Sequence, residues 1–217
     1  MIVVLSSKIE TRSLSMTVTS NTFQETVAAL SCGEAAVYPT ETVYGVGVAV
    51  KAADTPTVLY DIKQREQRKP IAWLVSDRCD LDVYGKHVPE FAHVLARTFW
   101  PGPLTLIVNA SDEVPQAYRS VAGTIGLRMP NNETALRLIR EVGCPLATSS
   151  ANISGNKAPC EFSHIDEALA GRVAAVYADS DDASKSGVAS TVVDCTGDHP
   201  VMIREGAITI ADIRALS

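Results

Sequence analysis

The chain is short of the features that would assign it to a membrane, a metal site or a secretory pathway. Its five cysteines, Cys32, Cys79, Cys144, Cys160 and Cys195, form no CxxC pair and are widely spaced. An odd, dispersed set of this kind reads as free, mostly buried thiols in a reducing compartment, not a disulfide framework. The four histidines, His87, His93, His164 and His199, do not cluster, so the ligand grouping a zinc site needs is missing. No apolar run approaches the ~20 residues of a membrane span. The opening Met1-Ile2-Val3-Val4-Leu5 lacks the basic flank and long apolar core of a signal peptide. These absences make the expected protein soluble and cytoplasmic. Two motifs are also missing. There is no GxxxxGK[ST], which excludes a P-loop, and no Gly-x-Ser-x-Gly nucleophile elbow. Basic residues are in deficit, with a net charge of −6 and a pI of about 5.2. That argues against a protein that coats nucleic acid, while leaving room for a local basic cleft.

What remains is a chain of 217 residues, 46% hydrophobic and 20% charged, suited to one large domain. Residues 1–20, rich in Ser and Thr, read as an N-terminal extension, and 21–217 as the folded domain. Thr22-Phe23-Gln24-Glu25 is a capping box, and Phe23, Val27 and Leu30 follow at helical spacing before Gly33. Ala35 to Tyr38 reads as a buried strand. Gly45-Val46-Gly47 is half of a dinucleotide fingerprint, better read as glycines letting a strand pack closely. A second helix opens at Asp54-Thr55-Pro56 and ends near Lys63, and Ile71 to Val75 is a strand. Pro89 to Trp100 is helical and Leu104 to Val108 a strand. In Thr124 to Arg128, alternation puts Thr124, Gly126 and Arg128 on one face. Asn131 caps a helix through Val142. Pro145 to Thr148 is a strand, Ser163 to Leu169 a helix, and Val173–Tyr177, Thr191–Cys195 and Val201–Arg204 strands. A last helix starts near Thr209. Strands and helices mix irregularly, which favours a mixed sheet with helices against it over a regular doubly wound fold.

Lys63, Arg65, Arg68 and Lys69 put four cations into seven residues. Such a run is either a solvated helix end or a set of contacts for a polyphosphate or carboxylate. Thr148-Ser149-Ser150-Ala151-Asn152 is either a self-bonded turn or a group of hydroxyls and an amide reaching a phosphate or nucleoside. Arg128 and Arg204 each end a strand. Singly they read as surface ion pairs; with Lys63 and Arg65 they could ring an anion. Tyr38 and Tyr44 read as core or rim aromatics. Ser154-x-x-Lys157, Ser150-x-Asn152 and Lys185-Ser186-Gly187 together mimic a penicillin-recognising serine enzyme, but their order is wrong and leaves no room for the intervening helical domain.

Seven ordered blocks carry a more specific resemblance. They are Tyr38-Pro39-Thr40-Glu41-Thr42-Val43-Tyr44-Gly45, Lys63-Gln64-Arg65 with Lys69-Pro70, Trp100 to Thr105, Thr124 to Pro130, Thr148 to Gly155, Ser190 to Asp194 and Arg204-Glu205-Gly206. Over residues 21–210 the chain resembles the YrdC/TsaC family of threonylcarbamoyl-AMP synthases, in its short single-domain form. The resemblance implies an α/β (α+β) fold, a twisted mixed sheet flanked by helices around a large concave electropositive cavity. It implies the joining of L-threonine, bicarbonate and ATP, with Mg, into threonylcarbamoyl-adenylate and pyrophosphate. A downstream threonylcarbamoyl-transfer complex and a possible tRNA contact are implied as partners. It places threonine at Thr40, Arg128, Thr148 and Ser190. It assigns ATP to Lys63, Thr124, Ser150 and Arg204, and the catalytic set to Lys63, Arg65, Ser150 and Asn152, with metal ligands open. The chain departs from the family at Glu66-Gln67-Arg68, which leaves Gln67 without a mapped role. Two other readings remain: a non-catalytic double-stranded RNA or tRNA-binding module, and a carbamoyl-adenylate-forming relative like the domain of hydrogenase maturation proteins.

Overall fold

Thr22 starts the first regular element by capping it. Its hydroxyl accepts from the Glu25 amide at 3.2 Å, and Glu25 accepts from the Thr22 amide at 2.7 Å, closing the capping box over α1, Phe23–Ser31. The computed structural model describes residues 18–64, 71–179 and 182–216. After α1 come β1 (Ala36–Tyr38), β2 (Gly45–Ala49), α2 (Thr57–Lys63), β3 (Ala72–Leu74), α3 (Asp80–Tyr84) and α4 (Glu90–Phe99). Next are β4 (Leu104–Asn109), β5 (Thr124–Arg128), α5 (Glu133–Val142), β6 (Leu146–Ser150) and α6 (Glu167–Ala170). The chain closes with β7 (Ala175–Val176), β8 (Thr191–Asp194), β9 (Val201–Arg204) and α7 (Ile210–Arg214).

The strands form one sheet in the order β7-β1-β2-β6-β3-β5-β4-β8-β9. The β1–β7, β3–β5 and β4–β8 pairs are parallel and the other neighbours antiparallel, so the sheet is mixed, as the pattern of elements predicts. Its two faces differ in chemistry. On one, Ala147, Trp73, Leu127, Leu106 and Val193 lie in register across five strands, all 0% exposed. Each large side chain among them contributes roughly 1.5–3 kcal/mol by leaving water. A one-residue slip would turn the whole row to the other face, so this row fixes the register. Trp73 is wedged edge-on between Tyr84 and Tyr118.

On the other face Gly47 pairs with Thr148 and Thr148 with Ala72, Gly126 pairs with Ile107, and Thr105 pairs with Val192. Glycine, alanine and hydroxyl side chains leave this face hollow. The glycines of β2 are required by close approach. A Cβ on Gly47 would lie 2.1 Å from Tyr38 Oη, and one on Gly45 would lie 2.9 Å from Thr148 Cγ2.

Several expectations are corrected. Asn132, not Asn131, caps α5: its backbone is extended (φ −143°) and its Oδ1 accepts from the Ala135 amide at 2.9 Å. The adjacent asparagines are chemically equal, and the buried face of Leu136 and Ile139 selects between them. The helix expected over Ser163–Leu169 is split into a 3-10 turn, Phe162–His164, and α6, because Asp166 recaps the chain through the Ala168 amide. Strand β7 spans only Ala175–Val176 of the expected Val173–Tyr177. Helix α3 escapes the sequence pattern because its five residues bury only Leu81. All five cysteines are free, but Cys32 and Cys79 are exposed, against the expectation of mostly buried thiols. Helix α2 ends at Lys63 as expected, with Gln64 in the left-handed region (φ 49°). Arg65, Arg68 and Lys69 lie outside the described residues. Among the described residues no helix is long and apolar enough to cross a membrane.

Candidate functional site

The hollow face of the sheet is the floor of a cavity of about 420 Å³. Its walls come from the β1–β2 connection, from Ser149 and Ser150 at the end of β6, and from the segment Gly187–Ser190 before β8. Arg128, Arg204 and Lys157 line it, and no carboxylate does among the described residues.

One end is built from Thr40, Thr42, Arg128, Thr148 and Ser190. The Thr40 hydroxyl donates to Val43 O at 2.7 Å and lies 2.9 Å from Thr42 Oγ1, holding a tight turn. Arg128 reaches that turn from β5. Its Nη2 donates to Thr42 Oγ1 at 3.0 Å and stands 2.8 Å from Glu41 Oε1. The Glu41 contact is close but misaligned, so the Glu41 oxygens gain no hydrogen bond from it, and the Arg128 Nε is buried without an acceptor. A buried N–H left without an acceptor costs about 1–3 kcal/mol.

Beside it, Tyr38 Oη and Thr148 Oγ1 are 2.6 Å apart. Burial pushes the Tyr38 phenol far above its ordinary value, with the Thr148 bond acting the other way. Tyr38 therefore keeps its proton and donates to Thr148, whose own hydroxyl donates to Leu146 O at 2.8 Å. A lone pair on Thr148 is left to accept from a ligand. Opposite, Ser190 Oγ lies 3.0 Å from Thr105 Oγ1, and Arg204 Nη2 donates to Ser190 O at 2.7 Å and to its Oγ at 3.1 Å. Partial burial, then the like charge of Arg128, pushes the Arg204 guanidinium below its ordinary value. Two cations that disfavour each other across a hollow make a site for an anion.

At the other end Ser150 Oγ donates to Asn152 Oδ1 at 2.5 Å, and Asn152 Nδ2 donates to Ile153 O at 3.0 Å and Asn156 O at 2.7 Å. Lys63 arrives from α2, 3% exposed. Its ammonium donates to Ser150 O, to Asn152 O at 2.8 Å and to Asn152 Oδ1 at 3.3 Å. Thr124 completes this side of the floor, its Oγ1 2.7 Å from Ser120 Oγ.

The sequence-predicted residues thus divide into groups. Thr40, Thr124, Arg128, Thr148, Ser150, Ser190 and Arg204 line one cavity. Lys63 and Asn152 stand behind its wall, joined to Ser150 and absent from the lining. Arg65 lies outside the described residues. The surface ion-pair reading of the two arginines is corrected. Arg128 is only 8% exposed, and Arg204, though on the outer strand, turns its guanidinium onto Ser190. Sequence reasoning missed Glu41, Thr42, Thr105 and Lys157. Thr42 and Thr105 carried a signal, since each sits within a motif block. Lys185 of the penicillin-like triplet is committed to Asp179 and Asp182.

A mixed sheet with a hydroxyl-lined, arginine-bearing hollow on one face defines an α/β protein with a small-molecule chamber. Comparison with known proteins agrees. A family model described as Sua5/yciO/yrdC, "Telomere recombination", matches residues 28–206. The chain is 38% identical over 194 residues to the threonylcarbamoyl-AMP synthase of Bacillus subtilis, covering 88% of this chain and 55% of that protein. It is 35% identical to the Pyrococcus abyssi enzyme of the same name, covering 83% and 53%. The chain spans about half the length of these two relatives. A putative threonylcarbamoyl-AMP synthase of Mycobacterium tuberculosis is 36% identical over 84% of this chain and 83% of its own length. Among solved structures, P. abyssi Sua5 complexed with L-threonine superposes with a TM-score of 0.82 at 33% identity, covering 89% of this chain and 56% of that one. E. coli YciO superposes at 0.79 with 25% identity, covering 88% and 92%. The chain belongs to the Sua5/YciO/YrdC family.

Proposed function

We propose that the chain condenses L-threonine, bicarbonate and ATP into threonylcarbamoyl-adenylate and pyrophosphate. The observation that carries this reading is Arg128 lining the same cavity end as the hydroxyls of Thr40, Thr42, Thr148 and Ser190. A guanidinium lining that end can hold a substrate carboxylate, and the hydroxyls around it suit an amino acid's polar groups. The relatives named threonylcarbamoyl-AMP synthase and the P. abyssi structure titled as a threonine complex support the same assignment.

In this reading threonine occupies the Arg128 end and ATP extends across Thr124, Ser150 and Arg204. The threonine amine loses a proton, takes up bicarbonate with loss of water, and the carbamate oxygen displaces pyrophosphate at the α-phosphorus. Both partners in that displacement are anionic, so the chain's contribution is alignment and positive charge. Arg204 faces the phosphates directly. Lys63 acts from behind the wall, holding the Ser150–Asn152 segment and adding its charge, and Arg65 is assigned beside it. The described lining contains no carboxylate or imidazole to serve as a strong base. Among the described residues no three His, Cys, Asp or Glu side chains converge as metal ligands for the Mg expected with ATP. Residues 21–217 form the catalytic unit. The product passes in the cytoplasm to a transfer complex that modifies adenosine in tRNA. Pyrophosphate release that requires both threonine and bicarbonate tests the proposal; release independent of threonine overturns it.

A further inference from the structure

Lys185 is absent from the cavity lining, yet its side chain is 0% exposed. Its ammonium lies 3.0 Å from Asp179 Oδ2, 2.9 Å from Asp182 Oδ1 and 4.7 Å from the centre of the Tyr44 ring. Tyr44 Oη donates to Asp182 Oδ1 at 2.6 Å and accepts from the Asp179 amide at 2.9 Å. Asp182 Oδ2 accepts from the Phe162 amide at 2.7 Å, and Asn132 Nδ2 donates to Asp179 Oδ2 at 3.4 Å. One buried cation thus joins the start of β2, the turn at Phe162, the cap of α5 and the segment leading to β8.

The residues that follow Lys185 touch the site. The Ser186 amide donates to Glu41 O and the Gly187 amide to Thr42 O, both at 2.9 Å. Gly187 is left-handed (φ +67°), a conformation that favours glycine, and a Cβ there would lie 3.1 Å from Cys160 Sγ. Gly187 itself lines the cavity, as do Ala189 and Ser190 after it. An apolar side chain would fill a structural position here at less desolvation cost than an ammonium. A lysine between two aspartates instead fixes orientation.

We propose that Lys185 is a positioning residue for the amino-acid end of the cavity. Through Asp179, Asp182 and Tyr44 it sets how far Ser190 stands from the Thr40–Thr42 turn, and so governs affinity for the amino acid more than for the nucleotide, which Ser190 reaches only through Arg204. This rests on the reading of the cavity as a threonine and ATP site. The test compares KM for threonine and for ATP in Lys185→Met, Lys185→Arg and Asp182→Asn, with threonine binding to the unaltered protein measured first by calorimetry. Lys185→Met should raise the threonine KM about tenfold or more and the ATP KM less than about twofold, with part of the loss recovered in Lys185→Arg. Asp182→Asn, which keeps shape and Lys185, should show the same split more weakly and serves if Lys185→Met does not fold. Equal changes in both constants, or no change in either, overturn the role of Lys185. Failure of the unaltered protein to bind threonine instead overturns the reading of the cavity.

Discussion

Arg128 Nη2 stands 2.8 Å from Glu41 Oε1, yet its Nε has no acceptor, so a buried guanidinium is charge-paired without being fully hydrogen-bonded. A lysine could keep the charge contact but cannot present a second, parallel donor to a carboxylate. Arg128→Lys should therefore raise the threonine KM by about ten- to a hundredfold, the equivalent of one charged hydrogen bond, with little change in the ATP KM. Steady-state pyrophosphate release checks this. Arg128→Met should also cost about 3–5 kcal/mol of stability, because Glu41 is left buried and alone.

Lys63 donates to three oxygens of the Ser150–Asn152 segment. Lys63→Met leaves buried carbonyls without a donor, at about 1–3 kcal/mol, and withdraws a positive charge from behind the nucleotide side of the wall. The expected result is a fall in kcat/KM for ATP of about a hundredfold or more, not restored by Lys63→Arg, whose planar fork cannot copy three diverging bonds from one nitrogen. Normal adenylate formation by Lys63→Met would remove Lys63 from the mechanism.

Gly47 tests the packing beneath Thr148. A Cβ there would sit 2.1 Å from Tyr38 Oη and 2.8 Å from Ala147 O. Gly47→Ala should cost about 1–3 kcal/mol, lowering Tm by several degrees by calorimetry. Tyr38→Phe removes the clashing oxygen, so the Gly47→Ala/Tyr38→Phe pair should lose less than the sum of the single changes. Strict additivity would show that the tyrosine is not displaced.

Asp182 sets a pH dependence. Burial raises its pKa, but the Phe162 amide, the Tyr44 hydroxyl and Lys185 outweigh it and hold the carboxyl below its ordinary value. A depressed folded-state pKa gives stability that is present above the unfolded value of about 3.9 and lost as pH falls through the folded value. Urea unfolding midpoints should drop on that acid limb, and the drop should be shallower in Asp182→Asn.

Much of this architecture is local and could be read from the chain. The Thr22–Glu25 capping box spans one turn, and alternation alone put Thr124, Gly126 and Arg128 on one face, where all three line the cavity. What escaped reading depends on contacts between distant residues. Tyr44 meets Asp182 across 138 positions. No periodicity encodes such a meeting, because sheet register and loop course decide it. The same cause hid the role of Glu41, which β5 brings against Arg128.

The most direct measurement is mass spectrometry of the products formed from the protein, ATP, Mg, bicarbonate and L-threonine. A threonylcarbamoyl-adenylate species that disappears when threonine is withheld, and falls sharply in Arg128→Lys at limiting threonine, is the expected result. ATP consumed with no such adduct, or an adduct formed equally well without threonine, would contradict it.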